Sequence, residues 1–114
     1  MGLWRRYLDW RQRHVVALVL TDPGFSVRGK AGREVEWKAI RRIVAFKRDL
    51  LTTDLLCLLL ELDDGPMEIN EQMIGYAAIE GAMLETLGLG AEWKMAVLFP
   101  AFEANATTIY ERPF

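Results

Sequence analysis

The chain has 114 residues, of which 52% are apolar and 26% charged, with four Trp and three Tyr. That is the length of one domain with apolar material for one core, and the charged fraction argues against disorder. The single cysteine, Cys57, excludes an intrachain disulfide framework and any multi-cysteine zinc site.

A reducing, cytoplasmic setting is therefore expected. The net charge of −2 and a pI near 5.4 argue against a dedicated nucleic-acid binder. Charge is distributed unevenly. Residues 1–48 hold twelve Lys and Arg against four acids, a net +8, and residues 49–114 hold two against twelve, a net −10. Either the molecule has a basic and an acidic side, or the two segments interleave and their charges pair.

Residues 1–13 read as a short helix. Leu3, Trp4, Tyr7 and Leu8 share one face, and Arg5, Arg6, Asp9 and Arg13 the other. The basic residues precede an apolar run, Val15 to Leu20, that is short for a signal-peptide core. His14 to Leu20 reads as a strand, ended by the turn Thr21-Asp22-Pro23-Gly24. Two further short strands follow, one with Phe25 and Val27 and one with Val35 and Trp37. The three-residue spacing of Trp37, Ile40 and Ile43 predicts one helical turn at Ala39 to Arg41, before Val44 and Phe46 resume a strand.

The organising stretch is Leu55 to Leu62. Leu56, Leu58, Leu60 and Leu62 fall on one face of a strand, and Leu55, Cys57 and Leu59 on the other. A strand apolar on both faces belongs in the middle of a structure. Asp63-Asp64-Gly65-Pro66 is a turn, and Met67 and Ile69 alternate with Glu68 and Asn70 in a return strand. From residue 73 the period becomes helical, with Tyr76, Ile79, Met83 and Leu87 in one stripe and Gly88 as a C-terminal cap. Ala91 to Leu98 reads as a short helix, and Thr107 to Tyr110 as an extended finish.

The expectation is a single α+β domain over 1–114. It comprises an N-terminal helix (1–13), antiparallel strands (14–72), an amphipathic helix (73–88) and a tail packed on the domain (89–114). Six to seven strands would form a curled antiparallel sheet or small barrel.

Across residues 14 to 110 this order resembles the pleckstrin-homology (PH)-like superfold. The Trp37, Ile40 and Ile43 element is similar to a pattern in bacterial PH-like domains. Thr53-Asp54, Glu68-Ile69-Asn70-Glu71, Gly75-Tyr76 and the segments Pro100 to Phe102 and Asn105 to Thr107 look like those of small bacterial proteins of this type. The resemblance implies binding rather than catalysis, of phosphoinositides or of protein segments. It does not by itself fix the function. Arg28 and Lys30 lie in the first hairpin, but a Lys-x-Arg phosphate signature is missing there.

The residues argue against nucleophilic catalysis. Ser26 is the only serine, and Gly24-Phe25-Ser26-Val27-Arg28 fails the Gly-x-Ser-x-Gly elbow at its last position. Cys57 lies mid-strand in an apolar run, where thiols are inert, and His14 is the only histidine. Gly88-Leu89-Gly90 is explained as a helix cap, and Asp63-Asp64-Gly65 as a turn. No catalytic residue, metal or cofactor is assigned.

The candidate binding residues are Trp37 with Arg28, Lys30, Arg41, Arg42, Lys47 and Arg48. The expected function is non-enzymatic binding or scaffolding by contact with an unidentified protein, of which toxin neutralisation is one version. A strand edge would serve for a partner segment or a homodimer. The alternatives are attachment to an anionic membrane surface through the basic face and N-terminal helix, and a small carboxylate-dependent enzyme.

Overall fold

A computed structural model describes residues 17–29, 32–49, 54–98 and 106–113. The helix expected over 1–13, the strand start at 14–16 and Lys30 lie outside them. The first sheet has the order β1-β2-β3, with β1 spanning Ala17–Leu20, β2 Gly24–Arg28 and β3 Arg33–Glu36. Its strands are short because turns interrupt them. At the first turn the Thr21 N–H donates to the Gly24 carbonyl at 3.0 Å. Period-two alternation sends Leu18, Phe25 and Val35 into the core.

Gly24 is a position of close approach: a Cβ there would lie 1.9 Å from the Val35 carbonyl oxygen of the neighbouring strand. A turn of 3₁₀ helix at Trp37–Ala39 then leaves this sheet. It begins two residues earlier than the spacing predicts, because Trp37 turns inward against Phe25, with ring centroids 5.5 Å apart.

The second sheet has the order β6-β5-β4-β7, all antiparallel, with β4 spanning Ile40–Asp49, β5 Asp54–Leu62, β6 Gly65–Asn70 and β7 Thr107–Glu111. The described residues thus form two sheets, of three and four strands, where the sequence suggests one curled sheet or small barrel. The 3₁₀ turn is the break between them. Two described helices, α1 (Tyr76–Leu87) and α2 (Glu92–Leu98), precede β7, which is the extended finish expected at Thr107 to Tyr110. The reading of the whole as α+β, with antiparallel strands, holds.

β5 occupies the inner position that its composition demands. Leu56, Leu58 and Leu60 are fully buried against the core, joined by Ile43 and Ala45 of β4 and Ile69 of β6. Each buried Leu contributes roughly 1.5–3 kcal/mol from area removed from water. Tyr76, Ile79 and Met83 of α1 pack on the same cluster, as does Val97 of α2. Gly88 closes α1, its N–H donating to the Leu84 carbonyl.

The opposite face of β5 is also shielded, with Leu55 and Cys57 buried outside the main core cluster. Burial, and next the nearby Glu68 carboxylate, push the Cys57 thiol up to about 11. We expect negligible reaction of Cys57 with a thiol-directed disulfide reagent in the native protein at pH 8, and stoichiometric reaction in urea. Fast native labelling at pH 8 would contradict this burial.

Candidate functional site

β4 distributes the expected basic surface over two faces. Alternation puts Ile43, Ala45 and Lys47 on the core side and Arg42, Val44, Phe46 and Arg48 on the other. Lys47 is therefore buried, with 2% exposure. Its ammonium lies 3.3 Å from Asp54 Oδ2 and donates to the Leu98 carbonyl at 2.9 Å. Trp37 is a core residue. Arg28 is exposed, but it lies on the other sheet, at the end of β2.

On the outer face the cations meet carboxylates across the strands. Arg42 makes a two-point pair with Glu61, one arm at 3.1 Å, which holds its guanidinium above the usual arginine value. Arg48 pairs with Glu68 at 2.7 Å and lies over the Phe46 ring at 5.6 Å. Arg33 pairs with Asp64. The basic first half and the acidic second half thus interleave along the β3 and β4 neighbourhood.

Arg41 and Arg42 do come together, in a shallow depression of about 390 Å³ at the end of the second sheet. Arg112 joins them there, a residue the sequence reading did not select. Arg112 grips Asp63 at 3.1 and 3.3 Å and the Lys38 carbonyl at 3.0 Å. The Arg112 hydrogen bond therefore holds the Asp63 carboxyl below its ordinary range. Glu61 and Glu111 line the same depression, so its cations are largely offset.

A second concavity is an open groove of about 560 Å³ along α1. Glu71, Met73, Tyr76, Glu80, Leu84 and Lys94 line it. The helical spacing of Ala77, Glu80, Gly81 and Leu84 gives one wall, with small residues keeping it low. The Glu71 side chain accepts the Leu56 N–H at 3.0 Å, and Lys94 of α2 donates to both Glu80 oxygens at 3.0 and 3.4 Å.

Tyr76 is 5% exposed, and its hydroxyl is withdrawn from water close to the Glu80 carboxylate. Burial first, and then the Glu80 charge, push that hydroxyl far above its usual value. It stays protonated throughout the physiological range. The sequence places Tyr76 on the inward stripe and Glu80 on the outward side of the helix, yet the Glu80 side chain is only 12% exposed; the missed signal is the i, i+4 spacing of Tyr76 and Glu80.

Three of the four exposed large apolar side chains among the described residues lie along or beside β1: Val19 at 41%, Leu20 at 49% and Ile74 at 63%. The Leu18 N–H donates to the Ile74 carbonyl at 2.7 Å, which fixes the 74–75 segment beside this edge. Among the described residues, no three His, Cys, Asp or Glu gather as metal ligands, and no helix is long and apolar enough to cross a membrane. Comparison with protein-family models, curated proteins and solved structures finds no match to this chain.

Proposed function

We propose that this chain is a non-enzymatic binding module of the PH-like type, acting in the cytoplasm through contact with a protein partner. Seven described antiparallel strands in two sheets, with a helix packed on their shared core, support the PH-like assignment. The helices inserted before β7 depart from the strands-then-helix order of that superfold.

The observation that carries the protein-contact reading is the apolar edge of β1. Val19, Leu20 and Ile74 are exposed there, beside a strand whose outer side meets, among the described residues, only the single bridge to Ile74. Exposed apolar side chains next to a strand edge suit an added strand or a packed segment. Two observations count against the competing readings. Three cations of β4, Arg42, Lys47 and Arg48, each meet a carboxylate, which weakens an anionic-lipid surface, although Arg41 is exposed. Cys57 is buried with its pKa raised, which leaves it unsuited as a nucleophile.

The test compares the intact chain with the Leu20→Lys and Ile74→Lys double variant. A partner retained by the wild type in cross-linked pull-down should be lost with the variant. The variant should keep the wild-type urea midpoint, because both side chains already face solvent. Equal retention by both proteins would reject the β1 edge. Salt-sensitive flotation with anionic vesicles, lost when Arg41, Arg42 and Arg48 are neutralised, would favour the membrane reading instead.

A further inference from the structure

We infer that a second copy of this chain pairs with it along β6, the two β6 strands running antiparallel about a two-fold axis at Glu68. The contact lies on the second sheet and is independent of the β1 edge. Four strands end the sheets of this fold, β1, β3, β6 and β7. Unpaired edges are templates for another strand. At β1 the Leu18 N–H is already spent on the Ile74 carbonyl. β6 is the longest of the four, with six residues.

The register of β6 on β5 fixes which of its backbone groups are committed. Glu71 donates its N–H to the Leu56 carbonyl at 3.2 Å, and the Leu56 N–H donates to Glu71 Oε1. Leu56 and Glu71 thus hold a hydrogen-bonding position. Alternation along the ladder gives the same status to Leu58 with Ile69, Leu60 with Met67 and Leu62 with Gly65. Pro66, Glu68 and Asn70 therefore turn their backbone groups away from β5. The Asn70 carbonyl accepts the Met73 N–H at 3.1 Å, and Pro66 has no N–H to give. The Glu68 N–H and carbonyl, the Asn70 N–H and the Pro66 carbonyl remain, with no partner among the described residues.

These four groups complement themselves. With Glu68 opposite its own copy, each Glu68 N–H meets the other Glu68 carbonyl. Asn70 then falls opposite the second copy's Pro66, and each Asn70 N–H meets a Pro66 carbonyl. The bond this register omits is the one Pro66 cannot donate, and the Asn70 carbonyl that would accept it is already satisfied. A foreign strand without proline there would bring an N–H to an engaged carbonyl, so the edge suits its own copy best.

The side chains agree with this register. It sets Met67 beside the second copy's Ile69 on the core face, at the positions where cross-strand side chains stand closest. Ile69 is a core residue, and the half-buried Met67 packs against the same core, so the contact continues the core across the axis. On the outer face the two Glu68 side chains meet, each held by its own Arg48 at 2.7 Å. Two compensated pairs thus face one another in place of two bare carboxylates. The product is one antiparallel sheet of eight strands, four from each copy.

The test is sedimentation velocity on the full chain over a concentration series. The wild type should pass from monomer to dimer as concentration rises. Glu68→Pro removes the N–H that each copy donates at the axis, at an edge position where proline costs no bond to β5. It should raise the dimer dissociation constant about tenfold or more, the scale of two hydrogen bonds, with an unchanged circular dichroism spectrum. The Leu20→Lys and Ile74→Lys double variant should dimerise like the wild type.

Glu68→Cys provides a second variant. Residues opposed in a hydrogen-bonded pair have Cα atoms about 5.5 Å apart, within the reach of a disulfide. On mild oxidation it should give a linked dimer well ahead of Met95→Cys, a more exposed position on α2. This comparison decides alone where Glu68→Pro does not fold. A wild type that stays monomeric at every concentration would overturn the inference. So would a dimer of unchanged strength in folded Glu68→Pro, or linkage no faster at position 68 than at 95. Loss of the dimer in the Leu20→Lys and Ile74→Lys variant would move self-association to the β1 edge.

Discussion

Gly75→Ala is expected to lower the unfolding free energy by roughly 3 kcal/mol or more. Two costs add. Gly75 has φ of 85°, a left-handed conformation that costs an alanine about 1–2 kcal/mol. The new Cβ would also lie 2.1 Å from the Leu18 carbonyl oxygen, and an overlap with backbone cannot be relieved by a rotamer change. Overpacking of this kind costs about 1–3 kcal/mol.

The position also joins elements. Gly75 precedes α1, its carbonyl accepts the Ile79 N–H at 3.3 Å, and the adjacent Ile74 carbonyl holds β1. A shift here would loosen both β1 and the first turn of α1. Against a total stability of about 5–15 kcal/mol for a small domain, the loss is large. Urea unfolding of the variant beside Gly81→Ala provides the comparison. Gly81 lies within α1 with open space around a new Cβ, so alanine should raise stability by up to about 1 kcal/mol. Equal midpoints for Gly75→Ala and wild type would refute the packing described between the 74–75 segment and β1.

The contrast between these two glycines shows what is legible in a linear chain. Local patterns were readable: the two-faced apolar run of β5, the Asp63 to Gly65 turn, the Tyr76, Ile79 and Met83 stripe and the Gly88 cap all depend on neighbours within a few residues. The demand on Gly75 was not, because it comes from Leu18, fifty-seven positions earlier. The pairing of β4 with β7 is of the same kind, reaching from Ile43 to Tyr110 across two helices.

Lys47 and Trp37 mark a different gap. Residue type suggests a surface for lysine, yet the period-two pattern Ile43, Ala45, Lys47 assigns it to the core face. Trp37 likewise continues the inward positions of Val35. Periodicity was the better guide than polarity at both sites. The groove was hidden for another reason. Glu71 follows β6, Tyr76 opens α1 and Lys94 lies on α2, and tertiary packing brings Lys94 to the other two.

Lys47→Met is expected to destabilise the protein by about 3–5 kcal/mol, the scale for removing one partner of a buried ion pair. The ammonium joins β4 to the first residue of β5 through Asp54, and to the end of α2 through the Leu98 carbonyl. Methionine fills a similar volume, but it supplies neither charge nor donor, so Asp54 and the carbonyl lose the stabilising contact. The Lys47→Met, Asp54→Leu double variant should recover part of the loss, since it also removes the carboxylate that Lys47 balances.

Chemical denaturation of the two single variants and the double variant measures that coupling directly. Single-variant effects below about 1 kcal/mol, with no coupling, would show the pair to behave as an exposed one. The consequence extends to the groove. α2 carries Lys94 to Glu80 at one point and is held by Lys47 at Leu98. Releasing the second tie should loosen the first, raising hydrogen exchange across 92–98 before it rises in β5. If instead α2 stays protected in Lys47→Met, the helix is held by its apolar contacts around Val97, and the groove is independent of the buried pair.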